Sequence, residues 1–171
     1  MTSPPRGRRG WVFGGRGWAA VALAAVAGLL LSLLTATTSQ AQPATGTWYY
    51  LENRHSGKVL DVSDRSQDNG AGLIQYANNG GTHQQFRFLD SGDGYYRIQA
   101  RHSNKVLDVY EWNADNGAQI VQWDDLNGTN QQFRAVDAGD GYYRFVNRFS
   151  GKALDVWEWS TADGGRISQY D

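Results

Sequence analysis

Cysteine is absent from all 171 residues, so disulfides, thiolate metal sites and thiol nucleophiles are excluded and the fold rests on its core. Helical periodicity is absent as well: beyond residue 41 no stretch places apolar side chains at helical spacing. Positive charge is scarce in the same region. Four of the sixteen Lys and Arg residues precede residue 42 and all seventeen acidic residues follow it, which leaves 42–171 with a net charge of −5. That balance opposes nucleic acid or an anionic membrane as partner. The three histidines, His55, His83 and His102, lack metal-ligand spacing and a Ser or Cys partner, which argues against zinc or nucleophilic chemistry and calls for no cofactor.

What is present begins with a leader. Arg6, Arg8, Arg9 and Arg16 precede an apolar run at 18–34, and Ser39-Gln40-Ala41 offers a small-x-small cleavage site. Residues 1–41 therefore read as a secretory signal peptide, with export and no stable membrane insertion after cleavage as the expectation. Arg8-Arg9 before Trp11 and Phe13 loosely matches a twin-arginine signal.

The rest is written three times. A step of 47 residues carries Asp61 to Asp108 to Asp155, Tyr49 to Tyr96 to Tyr143, Gln75 to Gln122 to Gln169, and Tyr76 to Trp123 to Tyr170, without a gap. The repeats run 48–94, 95–141 and 142–171, each a supersecondary unit that buries its apolar face against its neighbours, so 42–171 form one domain. Short β-favouring runs separated by Gly, Asn and Asp, four per repeat, predict an all-β barrel with threefold pseudosymmetry. The third copy stops at Gln169-Tyr170-Asp171, before any counterpart of Gln84-Gln85-Phe86 or Gln131-Gln132-Phe133, which leaves the barrel one strand short.

Alternation along a strand assigns faces. Leu60, Val62 and their copies point inward, so Asp61, Asp108 and Asp155 are expected to face solvent, as are Tyr76, Trp123 and Tyr170. A carboxylate beside an exposed ring suits a sugar: the acid accepts bonds from vicinal hydroxyls while the ring packs on the C–H face. Asn130 and Gln131 can add amide contacts in repeat two. In the competing reading the aspartates cap turns and the rings fill the core. Phe86 and Phe133 are read as core, Gln75, Gln122 and Gln169 as satisfied internal amides, and Arg54, Arg101 and Arg148 as structural. Trp112, Trp157 and Trp159 either widen the sugar surface or pack on the rim. Asp68-Asn69-Gly70 and the stretch 113–117 read as turns rather than calcium loops, and Asn127-Gly128-Thr129 is a glycosylation sequon by pattern.

The recurring Gly-Lys-x-Leu-Asp-Val, Asn-Gly-Ala, Gln-Trp or Gln-Tyr, and Asn-Gln-Gln-Phe motifs resemble those of the ricin-B-type lectins, over essentially all of 48–171. The resemblance implies a β-trefoil used as a carbohydrate-binding domain of a secreted bacterial protein. It maps the sugar-binding aspartate to Asp61, Asp108 and Asp155, the stacking ring to Tyr76, Trp123 and Tyr170, and the Asn-Gln pair to Asn130 and Gln131. Repeat one has His83 before Gln84 instead, and repeat three lacks the segment. The family's polar residue two before the ring is Ile74, Val121 or Ser168 here, and Val59, Val106 and Ala153 stand where it often carries a cysteine. The implied function is a secreted, non-catalytic lectin for galactose-type sugars or plant polysaccharide such as xylan. A trefoil scaffold for a protein partner such as a protease, and an accessory module of a glycoside hydrolase, stay open as alternatives. A glycosidase is disfavoured, because its two carboxylates must flank one bond and the repeat spreads the aspartates over three faces.

Overall fold

The computed structural model describes residues 11–14 and 42–171. The apolar run 18–34, the four leader arginines and Ser39-Gln40-Ala41 lie outside the described residues. Among the described residues there are twelve strands and five short 3-10 turns, and no helix is long and apolar enough to cross a membrane.

Strands β1 (Trp11–Gly14), β2 (Tyr50–Asn53), β5 (Phe86–Asp90), β6 (Tyr96–Ala100), β9 (Phe133–Gly139) and β10 (Tyr142–Asn147) close into a six-stranded antiparallel barrel. The contact of β2 with β5 is made just outside β2, where Tyr49 and Phe86 exchange backbone hydrogen bonds of 2.8 and 2.9 Å. Three hairpins cap one end: β3 (Val59–Val62) with β4 (Leu73–Tyr76), β7 (Val106–Val109) with β8 (Ile120–Trp123), and β11 (Ala153–Val156) with β12 (Gly165–Tyr170). They meet around the pseudo-threefold axis through Gly72↔Val121, Gln119↔Ser168 and Arg166↔Ile74, pairings that map onto one another by the 47-residue step. Closure of this kind removes free sheet edges.

The strand that the third repeat lacks is supplied from the other end of the chain. Phe86 pairs with Ala100 and Tyr49, and Phe133 with Asn147 and Tyr96; Trp11 pairs with Asn53 and Tyr143. Asn53, Ala100 and Asn147 are equivalent positions, as are the three tyrosines, so Trp11 occupies the third copy of the Phe86 site. Its side chain is 2% exposed within the core. The expectation of an open barrel is corrected for this chain, because four residues inside the stretch read as a leader complete it.

The core follows the pattern of the repeats. Leu60, Leu107 and Leu154, then Leu73, Ile120 and Ile167, fill the cap, and Phe86, Phe88, Phe133 and Phe145 fill the barrel, with Phe88 stacked on Phe145 at 5.6 Å. The internal glutamines are fully buried and satisfied, as expected. Gln75 Nε2 donates to the carbonyls of Ser160 and Ala162, Gln122 Nε2 to those of Ser66 and Asp68, and Gln169 Nε2 to those of Asn113 and Asp115. Each glutamine thus holds a loop of a neighbouring repeat, and the three form a cyclic tie. The turn asparagines add a second tie: Asn69 Nδ2 donates to Asp124 and Asn116 Nδ2 to Asp171, both at 2.8 Å. Arg54, Arg101 and Arg148 are structural, each lying over a tyrosine or tryptophan ring and hydrogen-bonded nearby.

Candidate functional site

Strand β7 sets the centre of the site. Leu107 and Val109 point into the core and Asp108 points the other way, as alternation requires, yet Asp108 is only 6% exposed. The expectation that Asp61, Asp108 and Asp155 face open solvent is corrected: all three are buried. In repeats one and two the outer face of the second strand is covered by a 3-10 turn, Thr82–Gln84 over β3 and Thr129–Gln131 over β7. In these two repeats alternation fixes the side of the strand, and the covering turn keeps that side from water.

Each turn presents a glutamine to the aspartate. Gln131 Nε2 donates to Asp108 Oδ2 at 2.9 Å and to the Asp124 carbonyl at 2.9 Å, and Gln131 Oε1 accepts from the Leu126 backbone at 3.0 Å. Gln84 repeats this with Asp61 Oδ2 at 2.7 Å, the Ala77 carbonyl and the Asn79 backbone. Both amides have their donors engaged within the protein, so they orient the carboxylate rather than offer free groups. Asn130 Nδ2 donates to the Val109 carbonyl at 3.4 Å, and its side chain helps to lower the Asp108 pKa against the effect of burial.

A pocket of about 300 Å³ opens over Asp108, lined also by Tyr110, Glu111, Trp112, Trp123, Leu126, Gly128, Asn130 and Gln131. Asp108, Asn130 and Gln131 are buried and form its polar base, while Trp112 and Leu126 are exposed at its rim. Trp123 is half-buried and tilts against Tyr110 at 6.2 Å. The structure therefore brings Asp108, Trp123, Asn130 and Gln131 together. It also adds Tyr110, Glu111 and Trp112, which the sequence reading left unassigned or unranked. Glu111 and Trp112 both have left-handed backbones, φ 54° and 55°, and this reversal carries the indole to the rim. The same left-handed pair recurs at Asp64-Arg65 and Glu158-Trp159, so the reversal belongs to the repeat and the tryptophan it presents is particular to this copy and the third.

Repeat one differs. His83 stands at the position of Asn130, with Nε2 3.3 Å from Asp61 Oδ2, and its ring meets His102 edge-on at 6.3 Å. His102 Nε2 donates to the Ser66 carbonyl at 2.8 Å. Burial pushes the Asp61 carboxyl above its ordinary value and pulls His83 below its own, so the pair is less charged than two exposed groups would be. Tyr76 is exposed beside them. In repeat three Asp155 is buried and Tyr170 half-buried, while Trp157 packs near Gly117 and under Arg166. No described group of three or more His, Asp or Glu side chains could hold a metal.

A closed six-stranded barrel with three capping hairpins, and an acid-and-ring pocket built on one of them, is the design of a β-trefoil lectin-like domain. The chain belongs to the ricin-type β-trefoil lectin domain-like family, whose model matches residues 35–123 and 113–170. A designed 3-fold symmetric protein, ThreeFoil, is similar at a TM-score of 0.72 and 52% identity, covering 72% of this chain and 89% of that one. 1,3Gal43A, an exo-β-1,3-galactanase from Clostridium thermocellum, is similar at a TM-score of 0.73 and 42% identity, covering 75% of this chain and 28% of that one. The clotting factor G alpha subunit of Tachypleus tridentatus is 46% identical over 41 residues, 24% of this chain and 6% of that protein. The chain thus spans a small part of the length of the last two.

Proposed function

We propose that this chain is an exported, non-catalytic lectin that binds galactose-type sugars or a plant polysaccharide, with its main site in repeat two. The pocket over Asp108 carries this reading. Its buried carboxylate, oriented by Gln131 and Asn130, keeps lone pairs for two vicinal hydroxyls, and Trp123 offers a ring to the C–H face of the sugar. Asp61 with Tyr76, Gln84 and His83 forms a second site of altered chemistry, and Asp155 with Tyr170 a third without the Asn-Gln segment. The similarity to a galactanase favours galactosides over xylan, and several weak sites on one rigid body suit a polymer. Residues 1–41 are read as the export leader, and cleavage after Ala41 would remove strand β1 with it.

Affinity electrophoresis through arabinogalactan, xylan and a sugar-free gel tests the reading. Asp108→Ala and Trp123→Ala are each expected to weaken retardation by roughly tenfold or more, which is about 1.4 kcal/mol, while near-ultraviolet dichroism stays native. A folded wild-type chain that no polysaccharide retards overturns it.

Proton linkage gives an independent check. Burial raises the Asp108 carboxyl above its ordinary 3.8, although hydrogen bonds from Gln131 and Asn130 oppose the shift. Sugar hydroxyls donate to the carboxylate form, so affinity is full at neutral pH and is lost as pH falls through the raised value, at a pH above 3.8. Stability has the opposite sign. A raised folded value contributes stability that is present below the unfolded one and disappears as pH rises, so protonating Asp108 does not unfold the domain. Asp124 and Asp163 are held low by hydrogen bonds from Lys105 and Lys58, and their contribution is lost only below 3.8. In a Tyr76→Ala background, retardation is expected to fade on acidification while the dichroism spectrum persists. A binding midpoint at or below 3.8 would contradict the role given to Asp108.

A further inference from the structure

Resting on the reading of the Asp108 pocket as a sugar site, we infer that this site continues across the junction of repeats two and three into a second subsite made by Trp112 and Phe149. Its ligand is then a segment of a β-linked oligosaccharide chain rather than a single terminal sugar.

The junction recurs three times with different chemistry. Residues 65, 112 and 159 are equivalent by the 47-residue step, as are 55, 102 and 149, and one of each set meets across two of the three repeat boundaries. Between repeats three and one, Trp159 meets His55 edge-to-face at 5.4 Å. Between repeats one and two the residues are Arg65 and His102, and His102 turns to the Ser66 carbonyl and to His83. Between repeats two and three, Trp112 meets Phe149 edge-to-face at 5.2 Å and 82°. Of these three, the last pair alone is wholly apolar.

Two further observations separate this pair from a structural plug. First, the rings are not buried: Trp112 is 51% exposed and Phe149 38%. In an edge-to-face pair the ring that presents its edge keeps both faces clear of its partner, so stacking surface remains for a pyranose. Second, Trp112 belongs to both places, since it lines the pocket over Asp108 and touches Phe149 outside it. Gly128 lets it sit there, because a Cβ at that position would lie 3.2 Å from Trp112 Cζ2 and 2.5 Å from Asn130 Oδ1. A sugar bound over Asp108 would place its neighbour in the chain over the paired rings, and Glu111 on the shared wall can accept hydrogen bonds from hydroxyls of either.

The test compares chain lengths. The full chain is titrated calorimetrically with galactose and β-1,3-linked galactotriose, and with xylose and xylotriose. One trisaccharide is expected to bind on the order of tenfold more tightly than its monosaccharide, the gain of one added ring contact. Phe149→Ala and Phe149→Leu are expected to bring the trisaccharide down to the affinity of the monosaccharide, Phe149→Tyr to restore the difference, and Asp108→Ala to leave both sugars only the weak binding of the other two repeats. Equal affinities for monosaccharide and trisaccharide in the wild type overturn the second subsite while leaving the pocket reading intact. So does a length preference that survives Phe149→Ala and Phe149→Leu in folded protein. A folded wild type that binds none of the four sugars removes the pocket reading and the subsite together.

Discussion

Chain 42–171 is expected to unfold about 10–20 °C below a chain that retains Trp11–Gly14, joined to residue 42 by a Gly-Ser linker in place of 15–41. Strand β1 pairs with both β2 and β10 and so joins the two ends of the barrel. Its loss leaves two edges unpaired and empties the space of Trp11, whose side chain is 2% exposed. Emptying the site of a buried Trp costs about 3–5 kcal/mol, and in a domain of this size that converts to roughly this fall in melting temperature. Trp11→Ala in the linked chain should reproduce most of the loss. The open edges are templates for pairing with another chain, so 42–171 is also expected to self-associate at concentrations where the linked chain is monomeric. Calorimetry and sedimentation decide the matter. Equal melting temperatures with both chains monomeric would mean that β1 contributes nothing to the barrel. If the leader is cleaved after Ala41 on export, the mature lectin is the weaker of the two.

That strand also marks where the sequence stopped being legible. The repeats could be read because the same side chains return every 47 residues, and Phe86, Phe133 and the three glutamines took the places that the pattern assigned them. Trp11-Val12-Phe13 has the same aromatic-x-aromatic spacing as Phe86-Arg87-Phe88, but it stands outside the periodic region and among leader residues, so no neighbour fixes its register. The burial of Asp108 was hidden for a different reason. Its cover comes from Asn130 and Gln131, more than twenty residues away, and strand alternation carries no information about contacts at that distance. The rim was hidden for a third. Glu111 and Trp112 adopt a left-handed conformation that Gly or Asn would have announced, and nothing in Tyr110-Glu111-Trp112 does. Conversely, the Gln-Trp dipeptide was read as an inward amide followed by an outward ring, and both halves hold.

Those two neighbours should give opposite results when each is replaced by alanine. Gln122→Ala is expected to destabilise the domain by about 3–5 kcal/mol, because three polar groups lose their partner at once beside a fully buried side chain. Ser103 Oγ donates to Gln122 Oε1 at 2.8 Å, and Gln122 Nε2 donates to the Ser66 and Asp68 carbonyls at 2.8 and 2.9 Å. Alanine supplies none of these bonds and leaves a cavity where the residue is 0% exposed. The two carbonyls belong to repeat one, so the damage crosses the repeat boundary and loosens the cyclic tie, which makes the loss larger than a single hydrogen bond would give. Trp123 is half-buried against Tyr110 and the Gly70 turn, and its removal exposes little core. Trp123→Ala is therefore expected to cost about 1 kcal/mol of stability or less while removing most polysaccharide retardation. Denaturant melts and affinity gels on the two variants separate the roles: a Gln122→Ala chain as stable as the wild type, or a Trp123→Ala chain that melts early and still binds, would reverse the assignment of frame and site along this strand.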